Sequence, residues 1–264
     1  MKKTIISLVV VVLFVVGLVL LTKYNNPQGP VVIAPTPTGN ATTTSPVTMQ
    51  PTDVSIARDS YLAGISGSYP SFPQASDRFN TAIKNDVELG ISEFIKTANM
   101  DYEGRLGAEG DAFLEELQSS GMYNYSVRYE VIQSNEQFIS VVMYIEGYSG
   151  GAHGYHVVNT YNYDVTKDKT LGLVDVYPVA GGLKAIAELS RAELAKKFKE
   201  DGVYDDQFLD MMREGTNPAN ANNFARFSFD VKHVYVHFTE YQVAPYVYGS
   251  PKITLPALES QIAQ

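Results

Sequence analysis

The sequence predicts an α+β protein, with helices packed on a mainly antiparallel sheet and, ahead of them, one transmembrane helix and a disordered linker. Three observations carry this. Residues 4–22 form an unbroken apolar run, residues 23–52 are rich in Pro, Thr, Gly and Ser, and beyond Asp53 the apolar period switches between about 3.6 and 2.

The apolar run reads TIISLVVVVLFVVGLVLLT. Nineteen helical residues reach about 28 Å, close to the roughly 30 Å of a bilayer core. It is longer than the apolar region of a cleavable signal peptide and ends in Leu20, Leu21, Thr22 and Lys23 without a small-x-small site, so it reads as an uncleaved anchor. Lys2 and Lys3 precede it and only Lys23 follows closely, which predicts a single-pass plasma-membrane protein with residues 1–3 cytoplasmic and the bulk extracytoplasmic. In the linker, Pro27, Pro30, Pro35, Pro37, Pro46 and Pro51 oppose both helix and ladder.

The elements follow in order. Residues 53–69 suit one or two strands and a turn. Phe79, Ile83, Val87, Ile91, Phe94 and Ile95 predict an amphipathic helix over 74–99, ended by a glycine-rich break at Gly104, Gly107 and Gly110, with a second helix at 111–118. Strands are expected at 125–133, 137–146 and 155–165, the middle one apolar on both faces and therefore interior. A helix over 181–200, a short helix over 205–214, a hairpin of 224–230 with 233–239 and a last strand at 252–255 complete the chain. We divide the globular region into 53–152 and 153–264.

Composition narrows the chemistry. Seventeen of the 20 basic residues and all 29 acidic ones lie from Asp53 on, a net charge of −12 there. Such a surface repels nucleic acid and favours cationic partners or neutral sugars. There is no Cys, hence no disulfide, thiolate metal site or Cys nucleophile.

Two segments stand out: Tyr148-Ser149-Gly150-Gly151-Ala152-His153-Gly154, leading to Tyr161-Asn162-Tyr163-Asp164, and Val234 to Gly249, containing Phe238-Thr239-Glu240-Tyr241 and Pro245-Tyr246-Val247-Tyr248-Gly249. Together they resemble the paired extracytoplasmic domains of unknown function 4163 and 3298, over about 53–258. The resemblance implies an envelope role. Such pairs occur in the extracellular part of lysozyme-binding anti-sigma factors, ahead of a polysaccharide deacetylase domain, or on a lone anchor. A three-residue stub is too short for a sigma-binding domain, and little sequence follows Pro256, so the lone-anchor form is expected.

Gly147-Tyr148-Ser149-Gly150-Gly151 matches the G-x-S-x-G elbow, with His153 close by, but a strand is expected after it where an elbow needs a helix. His153 and His156 face opposite ways on a strand and converge only if His153 lies in the glycine loop. His233 and His237, four strand residues apart, sit about 13 Å from each other, too far to share a zinc. Asp201, Asp205, Asp206 and Asp210 lack a calcium-loop pattern and read as helix capping. No metal or other cofactor is expected.

The binding residues we single out are Tyr148, Gly150, Gly151, His153 and Gly154 on one loop, and Tyr241, Pro245, Tyr246, Tyr248 and Gly249 on the other. Tyrosines on a proline-stiffened loop offer rigid amphipathic area at low entropic cost. The expectation is a membrane-tethered binding module for an envelope glycan such as peptidoglycan or for a cationic protein such as lysozyme. The rivals are a cell-wall hydrolase using Ser149 and His153 and a purely structural envelope protein.

Overall fold

The periodicities resolve into two sheets and two cores. The computed structural model describes residues 48–59, 62–120, 123–200 and 206–258. The stub 1–3, the anchor 4–22 and linker positions 23–47 lie outside these residues. Among the described residues, no helix is long and apolar enough to cross a membrane.

Strands β1 (Thr52–Asp59) and β2 (Ala63–Ser71) pair antiparallel, with Thr52 opposite Ser71. The chain then enters α1 (Asp77–Glu109), started by Ser76, whose side chain accepts the Phe79 N–H. Helix α1 buries Phe79, Ile83, Val87, Ile91, Phe94 and Ala98. Ile95, expected on that stripe, is 39% exposed, and Ala98 takes the next inward position.

The break expected at Gly104 and Gly107 does not occur. Both are helical, and a Cβ at either would meet nothing within 4 Å. Each costs only about 1 kcal/mol relative to Ala. Arg105 holds this turn by bonding Glu109 and Glu116 and lying 4.3 Å over the Phe113 ring of α2 (Asp111–Ser120). The helix stops at Gly110, whose φ of 58° suits glycine.

Helices α1 and α2 form the crossover that lets β3 (Tyr123–Ser134) run parallel to β2. The sheet is thus mixed, with every other pair antiparallel. Strands β4 (Phe138–Tyr148), β5 (Tyr155–Asp164) and β6 (Lys169–Thr170) extend it in the order β1-β2-β3-β4-β5-β6. At the β3–β4 turn, Asn135 Oδ1 accepts the N–H groups of Gln137 and Phe138. Ile139, Val141, Met143 and Ile145 of β4 face the first core together with Tyr161 and Tyr163 of β5. The division drawn at 152/153 falls in the loop before β5, and β5 and β6 complete the first sheet.

The second core lies between helices α3 (Leu173–Val176), α4 (Leu183–Glu200) and α5 (Asp206–Gly215) and a three-stranded antiparallel sheet, β7 (Phe227–Phe229), β8 (Val234–His237) and β9 (Lys252–Thr254). Ile186, Leu194 and Phe198 of α4 meet Phe227, Phe229, Val236 and Ile253 there. Residues 201–205, including Asp201 and Asp205 of the acidic run, lie outside the described residues, and Asp210 pairs with Arg213.

The halves join where the free edge of β7 rests on the other face of β4 and β5. Phe229 N–H donates to Ser140 Oγ (2.9 Å) and Phe227 N–H to Thr160 Oγ1 (3.1 Å). Asn162 Nδ2 donates to Phe227 O (2.6 Å), while its Oδ1 accepts from Ser140 Oγ (2.7 Å). Phe138 and Phe229 meet edge to face at 5.7 Å.

Asn162→Ala strands Phe227 O and Ser140 Oγ in a buried seam, and we expect a loss of about 2–3 kcal/mol in urea-unfolding free energy. His237 gives a second expectation. It is 4% exposed and contacts Ser228 Oγ through Nε2 at 2.9 Å. Burial, with Lys252 beside it, lowers its pKa from 6.5 to about 4. The fold therefore favours neutral His237. Its contribution is complete above pH 6.5 and is lost as pH falls through 4, about 3 kcal/mol in all. Unfolding free energy of the His237→Gln variant should decline less between pH 6.5 and 4 than that of the parent.

Candidate functional site

Beside the seam, the loop joining β4 to β5 (149–154) meets the loop joining β8 to β9. The first must turn sharply, and Gly150 and Gly151 do so with φ of 99° and 94°. It lies close against α1, since a Cβ on Gly150 would fall 2.2 Å from the Asp101 carboxylate. Asp101 in turn accepts the Tyr123 hydroxyl at 2.6 Å. The Tyr123 phenol is pushed well above its ordinary pKa by burial first and by that carboxylate second, so it remains a donor. Tyr148 closes the loop by donating its hydroxyl to Gly151 O at 3.2 Å.

Strand β5 follows this loop directly, so Ser149 does not sit on a strand-to-helix elbow. His153 Nδ1 lies 2.7 Å from Gly154 O, which makes Nδ1 the protonated nitrogen in the neutral ring. Among the described residues no hydrogen bond joins Ser149 to a histidine.

The second loop is braced from within. Gln242 donates to Gly215 O and Asn223 O and accepts from Thr239 N. Gly215 is needed for this approach, because a Cβ there would meet Gln242 O at 1.9 Å. Val243 and Ala244 are buried, and Pro245 starts a 3-10 turn, Tyr246–Tyr248, closed by Gly249 at φ 60°. The turn sends its two tyrosines opposite ways. Tyr248 points inward, 5.2 Å from Phe208 and 5.8 Å from Phe198, and so belongs to the second core and not to the surface patch. Tyr246 points toward the first loop.

Tyr246 is the shared member of two ring stacks, with His153 at 4.2 Å and with Tyr241 at 5.7 Å, both within about 30° of parallel. Its hydroxyl donates to Gly154 O at 3.1 Å. Tyr241 is 52% exposed and has a φ of 62°. Next to it, Glu240 reaches across the seam to β5: Oε1 accepts from His156 Nδ1 at 2.7 Å and Oε2 from the His156 N–H at 3.3 Å. The Glu240 side chain is nearly buried and the His156 ring half exposed.

The structure thus brings together His153, Gly154, Tyr241 and Tyr246. Tyr148, Gly150 and Gly151 shape their loop, and Pro245 and Gly249 bound the tyrosine turn. Glu240 was not singled out from the sequence, and His156 was weighed only as a metal ligand beside His153. Their contact spans 84 positions, and no local pattern announces it. A shallow hollow of about 530 Å³ near Val179, Leu189 and Leu258 contains none of these groups. The patch offers the outer faces of an aromatic stack rimmed by the half-exposed His156 imidazole, which suits an amphipathic ligand.

Comparisons with known proteins agree with this two-part build. Residues 56–156 match the family model described as Deacetylase PdaC, and residues 163–257 match the one described as Protein of unknown function (DUF3298). The peptidoglycan-N-acetylmuramic acid deacetylase PdaC of Bacillus subtilis (strain 168) is 28% identical over 189 residues, which are 71% of this chain and 36% of that protein. The chain therefore spans about a third of that relative's length. A DUF3298-family crystal structure from Bacteroides fragilis NCTC 9343 shares the fold, with a TM-score of 0.50 and 16% identity over 80% of this chain and 92% of that one. A second, from Pseudomonas aeruginosa PAO1, has a TM-score of 0.46 and 18% identity over 79% and 90%.

The two loop glycines separate clash from backbone strain. Gly150→Ala meets the Asp101 carboxylate and should cost about 2–3 kcal/mol in thermal unfolding. Gly151→Ala, with nothing within 4 Å, should cost only about 1 kcal/mol for its positive φ.

Proposed function

We propose, for a chain that pairs a PdaC-type segment with a DUF3298-type segment, that the patch between its two loops binds a saccharide of the cell envelope on the extracytoplasmic face of the membrane. The observation that carries the reading is the stack of His153, Tyr246 and Tyr241 beside the fixed His156–Glu240 pair. Pyranose rings present apolar C–H faces and polar edges. Flat aromatic rings take the first, and the half-exposed His156 imidazole, oriented by Glu240, takes the second. The name of the Bacillus subtilis relative concerns peptidoglycan, which supports a cell-wall polymer as the source of the sugar. In this reading residues 4–22 hold the module at the membrane and the proline-rich linker sets its reach.

A cationic protein such as lysozyme is the second reading, supported by the net charge of −12 beyond Asp53. It calls for association that weakens steeply with salt, whereas stacking on tyrosine changes little. A hydrolase built on Ser149 and His153 has against it the strand that follows the loop and, among the described residues, the lack of any hydrogen bond from Ser149 to a histidine.

Tyr241→Ala removes a half-exposed ring and leaves the core untouched. It should weaken binding of peptidoglycan fragments about tenfold by ligand-observed NMR, near 1.4 kcal/mol, with thermal unfolding unchanged. Tyr248→Ala should do the reverse, lowering stability through the second core with the tyrosine shelf still in place. Equal affinity of the Tyr241→Ala variant and the parent would sink the reading.

A further inference from the structure

We infer that Arg226 is the carboxylate-binding arm of this same patch, so that the saccharide it takes is an acidic one. The inference rests on the saccharide reading and adds to it a charge requirement.

Strand β5 pairs with β6 only at Tyr163 and Asp164, so its first residues form a sheet edge. Two side chains of the second half grip that edge. Glu240 takes the His156 N–H, and Arg226 Nε donates to Val158 O at 2.8 Å. The anchor points lie two strand residues apart, about 7 Å. Arg226 therefore grips the same strand edge as Glu240, two residues further along, a spacing of the order of one hexose carrying an acidic substituent.

The guanidinium commits one donor to the seam, and its other nitrogens are not among the buried polar atoms that lack a partner. It has five N–H donors, and Val158 O uses one. Among the described residues no Asp or Glu lies within ion-pair distance of it, and the only influence acting on its pKa is burial, which lowers it. The remaining donors form the planar fork that holds a carboxylate through two bonds. Glu240 opposes an anion here, but both of its oxygens are taken up by His156, and a direct contact near 3 Å to the guanidinium outweighs a more distant repulsion although the domain is acidic.

The test compares ligands on the intact chain: N-acetylmuramic acid, its carboxamide, and N-acetylglucosamine as neutral reference, by ligand-observed NMR at low salt. The free acid should bind about tenfold more tightly than the carboxamide. Arg226→Met should abolish that preference, and Arg226→Lys, which keeps charge and loses the fork, should retain part of it. Tyr241→Ala should weaken all three sugars. Should Arg226→Met fail to fold, the acid–carboxamide comparison on the parent still decides. Equal affinity for acid and carboxamide overturns the arginine arm and leaves the shelf standing. No binding of any of the three overturns the saccharide reading itself. An acetylated dipeptide acid that binds while none of the sugars does overturns both in favour of a peptide ligand.

Discussion

The structure depends on how the free edge of β7 is satisfied. A sheet of three strands with three or four residues each is too small to stand alone, and its unpaired edge would invite other chains. Here the edge is met by Ser140, Thr160 and Asn162, side chains that β4 and β5 present from the face opposite their apolar one. Each such bond contributes only about 1 kcal/mol net, whereas an unmet buried group costs more. The seam therefore selects one docking register more than it adds stability. It also makes β4 and β5 two-faced, with Ile139, Val141, Met143, Tyr161 and Tyr163 in the first core and the polar residues holding the second half.

The patch follows from that docking. Once β7 is seated, the β8–β9 loop has to pass the end of β5, and Glu240 finds the His156 N–H and ring there. His153 is carried by the loop entering β5 and Tyr246 by the loop entering β9, so their stack exists only when both halves are in place. Neither half holds the site by itself. The shelf is preorganised because each ring is fixed by something else: His153 by Gly154 O, Tyr246 by the same carbonyl, and their backbones by glycine turns at one end and the Gln242 brace at the other. Rings held before the ligand arrives lose little entropy on binding it.

Much of this was legible in the sequence, and what was not has physical causes. The α1 stripe, the two-faced β4 and the α4 stripe all follow from apolar period, because burial of one face is what period records. The end of α1 was misplaced because Gly104 and Gly107 were read as breakers. In solvent-facing positions two glycines cost about 2 kcal/mol together, which the buried α1 stripe outweighs, with the Arg105–Glu109–Glu116 cluster and the Phe113 contact adding to it. The partners of the seam were invisible: apolar residues on both faces of β4 implied cover, but nothing near Ser140, Thr160 and Asn162 says that β7, some 65 to 90 positions later, supplies it. Within the tyrosine loop, composition predicted aromatic surface but not direction. The 3-10 turn separates Tyr246 from Tyr248 by two residues, enough to send one to the patch and the other to the core. The His156–Glu240 contact is of the same kind, fixed by docking and by no local pattern.

One further consequence concerns coupling. Along β5, Asn162 and Thr160 hold the seam, Val158 receives Arg226, and His156 receives Glu240, so anchors of docking and of the patch follow one another on one strand. A ligand spanning the tyrosine shelf and Arg226 would bind only the docked arrangement. By mass action it would stabilise docking by about 2.7 kcal/mol at a hundred times its dissociation constant. That is comparable to the loss of one seam side chain, so occupancy of the patch and integrity of the seam belong to a single equilibrium. Substitutions in the seam, though they touch no ligand, then act on affinity through the fraction of molecules in which the shelf is assembled.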